Sequence, residues 1–265
     1  MSLRFLLAVL AVAAAFPGHA QESEVAPFIT TPAGVVERML RFAGTGPADL
    51  VVDLGSGDGR IVIAAARDFG ARGLGIELDP ALVQKSRAAA RAASVIERVS
   101  FVHGDVLTAD ISQASVVTVY LLPGLINRLQ PRFLAELAPG TRIVSHAFAM
   151  VGWKPDRTET MRLAERHPGQ GDESRLFLWV VPAAARGVWQ GGGLRLEVQQ
   201  NYQEIELTGG LAGKVLEEPR ASLSGREISW EAKGLRFKGR IEGARMSGEL
   251  SREGRVSPLV LTRIP

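Results

Sequence analysis

Short apolar runs alternate with helix-like segments between residues 50 and 146, and this alternation restricts the possible folds most. The apolar runs predict β-strands at residues 50–54, 74–77, 100–103, 115–121 and 142–146. Helices are predicted at residues 61–69 and from Pro80 to about residue 93, the second one capped by Asp79. Strands that alternate with helices at this spacing need crossover connections, so they form a parallel sheet covered on both faces.

Further elements flank this central region. Thr31 and Pro32 have the pattern of a helix start, a hydroxyl N-cap followed by proline, and the helix should run to about residue 43. Two late strands, at 158–163 and 176–181, are expected to pair at the far edge of the sheet. The predicted fold is therefore α/β: a Rossmann-like, doubly wound, mostly parallel seven-stranded sheet over residues 26–182.

The sequence pattern changes after Pro182. Residues 187–265 contain recurrent glycines and short runs in which apolar and polar residues alternate, for example at 194–198 and 235–238. This pattern is typical of short antiparallel strands joined by tight turns. We expect these residues to form a separate, small antiparallel β domain.

The N-terminal residues resemble a targeting segment. Arg4 precedes an apolar run at residues 5–16, and the small residue Ala20 is followed by the polar Gln21. The pattern predicts a signal peptide over residues 1–20 with cleavage near Ala20, or alternatively an uncleaved membrane anchor. We therefore expect either export to the periplasm or membrane association. The absence of cysteine leaves the compartment open, and a net charge of +3 is too small to indicate a nucleic-acid partner.

A glycine-rich turn follows the first predicted strand and opens the next helix. It reads Asp53-Leu54-Gly55-Ser56-Gly57-Asp58-Gly59-Arg60. Glycines let the chain turn sharply against a ligand, and the helix start offers free amide donors. Dinucleotide enzymes use G-x-G-x-x-G to bind a pyrophosphate, but here the third glycine comes one residue early and Asp53 precedes the turn. An acidic residue suits a ligand with an ammonium and a sulfonium group better than a pyrophosphate.

The turn looks like the first motif of class I methyltransferases, whose loop holds the methionine part of S-adenosylmethionine. Glu77 ends the second predicted strand, where an acidic side chain can accept hydrogen bonds from ribose hydroxyls. Asp105 follows the third strand, where methyltransferases hold the adenine amino group. Because three acids lie at the ends of consecutive strands of one sheet, S-adenosylmethionine is the predicted cofactor, and the glycine spacing disfavours a nicotinamide cofactor.

Several segments together resemble a narrower family, the small protein-lysine methyltransferases of archaea, bacteria and mitochondria. The segments are PFITTP at 27–32, GSGDGRIV at 55–62, ELDPALV at 77–83, ELAPGTRIVS at 136–145 and WKP at 153–155. Animal members of this family modify lysines of the ring protein of ATP synthase and of the adenine nucleotide translocase. The resemblance implies a protein substrate with a lysine acceptor. The predicted cofactor-binding residues are Thr30, Asp53, Gly55, Ser56, Gly57, Gly59, Glu77, Asp105 and Val106.

The end of the fourth strand is expected to border the acceptor. It reads Tyr120-Leu121-Leu122-Pro123 in place of the Asn-Pro-Pro-Tyr of many amino-methylating enzymes, which argues against methylation of DNA adenine or glutamine. The resemblance implies that Tyr120 borders the acceptor channel and is the candidate catalytic residue. By the same resemblance Pro123 shapes the channel and Trp153 walls it. Tyr120 also fits ordinary packing at the edge of the sheet, and Trp153 also fits packing in the interior.

Other interpretations of the sequence remain open. The acceptor is a small molecule or lipid in one alternative; in another the chain is a non-catalytic module that binds the cofactor. His103 and His146 lie at apolar strand ends, where we expect interior histidines, and no metal site is predicted because no second ligand has metal spacing. Trp189, Tyr202 and Trp230 are expected in the interior of the β domain.

Overall fold

A computed structural model describes residues 29–167 and 171–265, which form two β-sheets. The helices are α1 (Ala33–Phe42), α2 (Arg60–Phe69), α3 (Pro80–Ala92) and α4 (Pro123–Glu136). Sheet A contains β1 (Leu50–Leu54), β2 (Arg72–Glu77), β3 (Val99–His103), β4 (Val116–Val119), β5 (Arg142–His146), β6 (Arg157–His167) and β7 (Gly171–Val180). Sheet B contains β8 (Gly187–Gly191), β9 (Leu194–Asn201), β10 (Glu204–Leu211), β11 (Lys214–Val215), β12 (Arg220–Ser224), β13 (Glu227–Ala232), β14 (Leu235–Glu242), β15 (Arg245–Arg252) and β16 (Arg255–Ile264).

Sheet A is a mixed, Rossmann-like sheet with the strand order β3-β2-β1-β4-β5-β7-β6. Strands β1 to β5 pair in parallel, whereas β7 is antiparallel to β5 and to β6. The chain proceeds from β1 outward to β3 and then crosses back to β4 on the other side of β1. This reversal creates a crevice between the carboxyl ends of β1 and β4, the position where open α/β sheets bind ligands.

Apolar side chains fill both faces of sheet A. Helices α1 and α2 cover one face with residues such as Val36, Met39 and Ala65, which pack in one cluster with Val51, Val116 and Val144 of the strands. On the opposite face, α4 contributes Ile126, Leu129 and Phe133. The sheet is therefore covered on both faces, as the alternating sequence pattern predicts.

Sheet B is antiparallel throughout, with the strand order β11-β10-β9-β8-β16-β15-β14-β13-β12. It has its own hydrophobic core, in which the ring of Trp230 stacks on Phe237 with 5.6 Å between centroids. Trp189 and Trp230 are buried in this core, as predicted. The separate antiparallel sheet predicted after Pro182 is confirmed.

Sheet B attaches to sheet A at the amino ends of the parallel strands. The Ala183 amide donates to the Gly225 carbonyl at 2.7 Å, and Gly225 lies against Gly140, just before β5. Tyr202, predicted in the interior of the β domain, instead reaches across and stacks on Trp153, with 5.1 Å between centroids and 7° between the ring planes. The two units thus meet at the edge opposite the crevice.

Several local predictions are wrong. Thr31 does not cap α1, because Pro32 occupies the N-cap position and no side chain makes a cap hydrogen bond there. His103 is exposed rather than interior, since β3 lies at the edge of sheet A. The fourth strand ends at Val119 rather than at residue 121, and helix α4 was not predicted.

The predicted targeting segment, residues 1–20, lies outside the described residues, so export or anchoring stays a prediction. In the ranges 29–167 and 171–265, no helix is both long and apolar enough to cross a membrane.

Candidate active site

The glycine-rich turn bends sharply between β1 and α2. Gly55 and Gly59 have positive φ angles of 77° and 80°, in the region that favours glycine. Space is also limited, since a Cβ atom at Gly55 would lie 2.8 Å from Leu121 and one at Gly59 would lie 2.7 Å from the Phe101 ring. The amides of Gly55 and Ser56 donate to the Ile76 carbonyl at 2.9 and 3.0 Å, which ties the turn to β2. Both glycines are therefore required by the backbone shape of this turn.

Asp53 is the most buried of the three predicted acids, with 3% of its surface exposed. Its Oδ1 accepts a 2.7 Å hydrogen bond from the Thr118 hydroxyl on β4. Burial raises the pKa of Asp53 to about 7, with smaller contributions from the negative charges of Glu77 and Asp58, while the Thr118 bond acts in the opposite direction. A positively charged ligand group beside Asp53 would favour its ionised form.

Glu77 connects the glycine-rich turn to the start of α3. Its Oε2 accepts from the Gly57 amide at 2.8 Å, and its Oε1 accepts from the Asp79 amide at 2.9 Å. Each carboxylate oxygen has a second lone pair, so both oxygens can still accept from ribose hydroxyls. Glu77 thus both shapes the turn and offers acceptors at its edge.

Asp105 and Val106 lie after β3 on the same edge of sheet A. Asp105 is exposed and its Oδ1 accepts from the Leu107 amide at 2.8 Å, whereas Val106 is buried in the core beneath the edge. The three predicted acids therefore lie at the carboxyl ends of β1, β2 and β3, along one edge of sheet A.

The residues of this crevice fit S-adenosylmethionine on two observations. The hydroxyl of Ser56 is buried and has no hydrogen-bond partner among the described residues. The turn around it is built from glycines whose Cβ atoms would collide with neighbouring side chains. A buried polar atom without a partner costs free energy, and a bound ligand group or water that supplies the partner removes this cost.

The Thr30–Thr31 segment is held over the crevice by Arg60, a contact that the sequence analysis missed. Arg60 Nη1 donates to the Thr31 carbonyl at 2.8 Å, and the same guanidinium forms an ion pair with Asp58 at 2.6 Å. Thr30 is half-buried, and its carbonyl lies 2.9 Å from His167 Nε2. The sequence offers no signal for these contacts beyond the presence of an arginine at the start of α2.

Tyr120 lies at the crevice beside two histidine rings. The centroid of its ring is 4.2 Å from that of His146 and 5.9 Å from that of His167. His146 is fully buried, as predicted, but its proximity to Tyr120 and His167 was not expected. His167 and Ser174 belong to β6 and β7, two strands that were not predicted to contribute to the site.

The two other predicted channel residues, Pro123 and Trp153, lie in different parts of the structure. Pro123 is the first residue of α4 and is exposed directly after the crevice. Trp153 is only 1% exposed, and its carbonyl accepts from Trp179 Nε1 at 2.9 Å. Trp179 pairs with Ile143, near the amino end of β5, so Trp153 lies at the opposite end of the sheet from Tyr120. The prediction that Trp153 walls the acceptor channel is therefore wrong.

Comparison with known proteins identifies the family. The family model described as "ANTKMT methyltransferase domain" matches residues 53–157. A protein-lysine N-methyltransferase of Saccharolobus islandicus is 43% identical over 130 residues, which cover 49% of this chain and 81% of that protein. The chain belongs to this methyltransferase family. The family match ends at the start of β6, ahead of sheet B.

Other relatives are also named as methyltransferases, but their names give different substrates. The adenine nucleotide translocase lysine N-methyltransferase of Mus musculus is 35% identical over 129 residues, which are 49% of this chain and 56% of that enzyme. A crystal structure of an RNA methyltransferase from Salinibacter ruber with S-adenosyl-L-homocysteine is 48% identical, with a TM-score of 0.53, and the match covers 57% of this chain and 93% of that one. This methyltransferase therefore uses S-adenosylmethionine.

Proposed function

We propose that this methyltransferase transfers the methyl group of S-adenosylmethionine to the side-chain amine of a lysine in a protein. The observation that carries the proposal is the placement of Tyr120 directly after β4, the strand that pairs with β1 and its glycine-rich turn, in a chain 43% identical to a protein-lysine N-methyltransferase. The two groups flank the crevice between β1 and β4, so a methyl donor and an amine acceptor would meet there.

In the proposed reaction, the cofactor supplies an electrophilic methyl group on a sulfonium sulfur. The glycine-rich turn and Glu77 hold the donor, and Asp105 is placed to meet its adenine amino group. Asp53, buried behind the turn, favours a positively charged neighbour. These residues act by holding donor and acceptor in line and close together, an effect worth roughly 7–11 kcal/mol in intramolecular reactions.

Tyr120, which we call the acceptor wall, is proposed to favour the neutral form of the lysine amine. A lysine amine has an ordinary pKa of about 10.4 and must lose a proton before it can attack. Tyr120 is half-buried and the neighbouring His146 and His167 are buried, so an amine inserted beside them would lose part of its hydration. Desolvation disfavours the ammonium form, and the proton can leave to solvent before the amine enters.

The test uses extract from the source organism, with the purified protein and S-adenosylmethionine labelled in the methyl group. We expect label in protein, in a band that resists nuclease and yields methyl-lysine on acid hydrolysis. Wild-type protein and a Tyr120→Ala variant should bind the cofactor equally, while the variant loses most of the transfer.

RNA is the second candidate acceptor, favoured by the 48% sequence identity to the RNA methyltransferase from Salinibacter ruber. Label that disappears on ribonuclease treatment would support RNA and contradict the lysine proposal. Label found only in lipid or in a small metabolite would contradict both, and would leave the methyltransferase activity itself in place.

A further inference from the structure

His146, the last residue of β5, is a fully buried polar residue that joins three parts of the crevice. Its Nε2 lies 2.6 Å from Ser174 Oγ on β7 and its Nδ1 lies 3.5 Å from Thr31 Oγ1 before α1. A buried imidazole without partners would destabilise the fold; Ser174 is a close partner of one ring nitrogen, and Thr31 is a long-range partner of the other. The imidazole is thereby fixed in position and orientation.

The fixed imidazole supports the acceptor wall from behind. It contacts Tyr120 at 4.2 Å between centroids with a 39° tilt, and lies 5.8 Å from His167. His167 in turn contacts the Thr30 carbonyl at 2.9 Å. The phenol ring of Tyr120 therefore rests on a group that is held by β7 and by the Thr30–Thr31 segment.

The backbone after His146 is held in a conformation that non-glycine residues rarely adopt. Ala147 has a φ angle of 70°, and its amide donates to the Arg175 carbonyl at 2.8 Å. The Ser145 hydroxyl donates to the Phe148 carbonyl at 2.6 Å across the same turn. Such a conformation persists only when surrounding contacts enforce it, and it is often found at functional sites.

We propose that His146 is a positioning residue for methyl transfer, which holds the Tyr120 ring and the Thr30–Thr31 segment at the separation that admits the acceptor amine. The inference rests on the proposed function, because Tyr120 is the acceptor wall in that proposal. His146 is fully buried, so it acts through Tyr120 rather than on the acceptor itself. Misplacement of an acceptor by about 1 Å can reduce a rate roughly 100-fold.

The first measurement follows the Tyr120 ring directly. The chain contains two tyrosines, Tyr120 and Tyr202, so protein labelled with 3-fluorotyrosine should give two fluorine resonances. A Tyr120→Phe variant assigns them. In His146→Ala we expect the Tyr120 resonance to shift or broaden and the distant Tyr202 resonance to stay, because the imidazole ring next to Tyr120 has been removed.

The second measurement is methyl transfer from labelled S-adenosylmethionine to heat-treated extract. His146→Ala should lower the maximal rate about 100-fold, with the cofactor Kd within about twofold of wild type. His146→Gln, whose amide can reach Ser174, should have a maximal rate at least about tenfold higher than that of His146→Ala. Ser174→Ala should lower the rate by a smaller factor, and the same substitution at the exposed Ser222 of sheet B is the matched control, with an unchanged rate.

An unmoved Tyr120 resonance in His146→Ala would overturn the proposal, as would a cofactor affinity that falls as much as the rate. Equal losses in His146→Gln and His146→Ala would also overturn it, since they would indicate general damage to the fold. If His146→Ala does not fold, Ser174→Ala decides by the same two measurements. If wild-type protein labels no protein, the lysine proposal fails, and the fluorine spectra still decide whether His146 positions Tyr120.

Discussion

The acidic side chains at the crevice differ in their surroundings, and this difference separates their roles. Asp53 is buried against Thr118, Glu77 bonds two backbone amides, and Asp105 is exposed. A substitution at each position therefore tests a different property: charge in a buried place, the shape of the turn, or a surface contact.

Substitution of Glu77 should weaken cofactor binding. Glu77→Ala leaves the Gly57 and Asp79 amides without their acceptor and removes acceptors from the ribose, so binding of S-adenosylhomocysteine should weaken by about 1–3 kcal/mol in calorimetry. Glu77→Gln keeps one acceptor oxygen and should lose less. Asp79→Ala, which removes the α3 cap without touching the turn, serves as the control for stability. Unchanged affinity in both Glu77 variants would contradict the assignment.

The buried Asp53 should make the stability of the ligand-free protein depend on pH. Its pKa in the folded state is raised to about 7, whereas in the unfolded chain it is near its ordinary value of about 3.9. Between these values the folded state binds a proton that the unfolded state does not, so the free energy of unfolding falls as pH rises from about 4 to about 7.

Urea unfolding of wild type and Asp53→Asn over this pH range measures the effect. Asparagine keeps an oxygen for the Thr118 hydroxyl and cannot ionise. The difference in free energy of unfolding between the two proteins therefore reports the ionisation of Asp53, because the other titrating groups are the same in both. The difference in free energy of unfolding should grow in favour of the variant as pH rises and level off above about 7. A constant difference across the range would contradict a raised pKa.

The turn between β9 and β10 makes side-chain contacts with the core of sheet A and with helix α4. Tyr202 adopts a φ angle of 54° there, stacks on Trp153 and accepts a 2.8 Å hydrogen bond from Gln130 Nε2 on α4. Gln203 accepts from Trp153 Nε1 at 2.8 Å. The turn thus covers a tryptophan that belongs to the core of sheet A, and removal of sheet B would expose it.

Substitutions in this turn should lower the stability of the protein without weakening cofactor binding. Tyr202→Ala removes the stack and the partner of Gln130, so the free energy of unfolding should fall by about 1–3 kcal/mol, whereas Tyr202→Phe loses only a hydrogen bond worth about 1 kcal/mol. The crevice lies one strand length away, roughly 16 Å for five residues, so cofactor affinity should stay within about twofold. Cofactor affinity that falls with stability would show that the junction and the crevice are coupled.

At the scale of the molecule, the two sheets have separate hydrophobic cores. Sheet A and its helices enclose clusters around Val117 and Val144, while sheet B encloses a cluster around Trp189 and Phe237. The predicted cofactor residues all belong to the first unit. A ligand that binds only one of two units stabilises only that unit.

Calorimetry should therefore show two unfolding transitions that respond differently to ligand. S-adenosylhomocysteine at about 100 times its Kd adds about 2.7 kcal/mol to the unit that binds it, which raises that Tm by several degrees and leaves the other transition in place. NAD at the same concentration should shift neither transition. A single transition that moves as a whole would contradict independent units with a boundary between 182 and 187.

Local patterns in the sequence determined the layout of sheet A and the position of the cofactor edge. Strands β1 and β5 have the predicted bounds, and Asp79 caps α3 as predicted, because run length, apolar content and caps depend on neighbouring residues. The glycine-rich turn was recognisable for the same reason, since its backbone shape requires glycine at fixed positions. The order of strands then places the acids along one edge.

Only the tertiary structure decided which side chains meet across that edge and which do not. Thr31 approaches His146, which lies 115 residues away along the chain, instead of capping its own helix. Trp153 follows His146 by a few positions yet lies at the opposite end of the sheet, because residues 147–156 run back along sheet A before β6 begins. Contacts of this kind depend on strand register and on how elements cross in space. Neither can be inferred from a pattern of neighbouring residues.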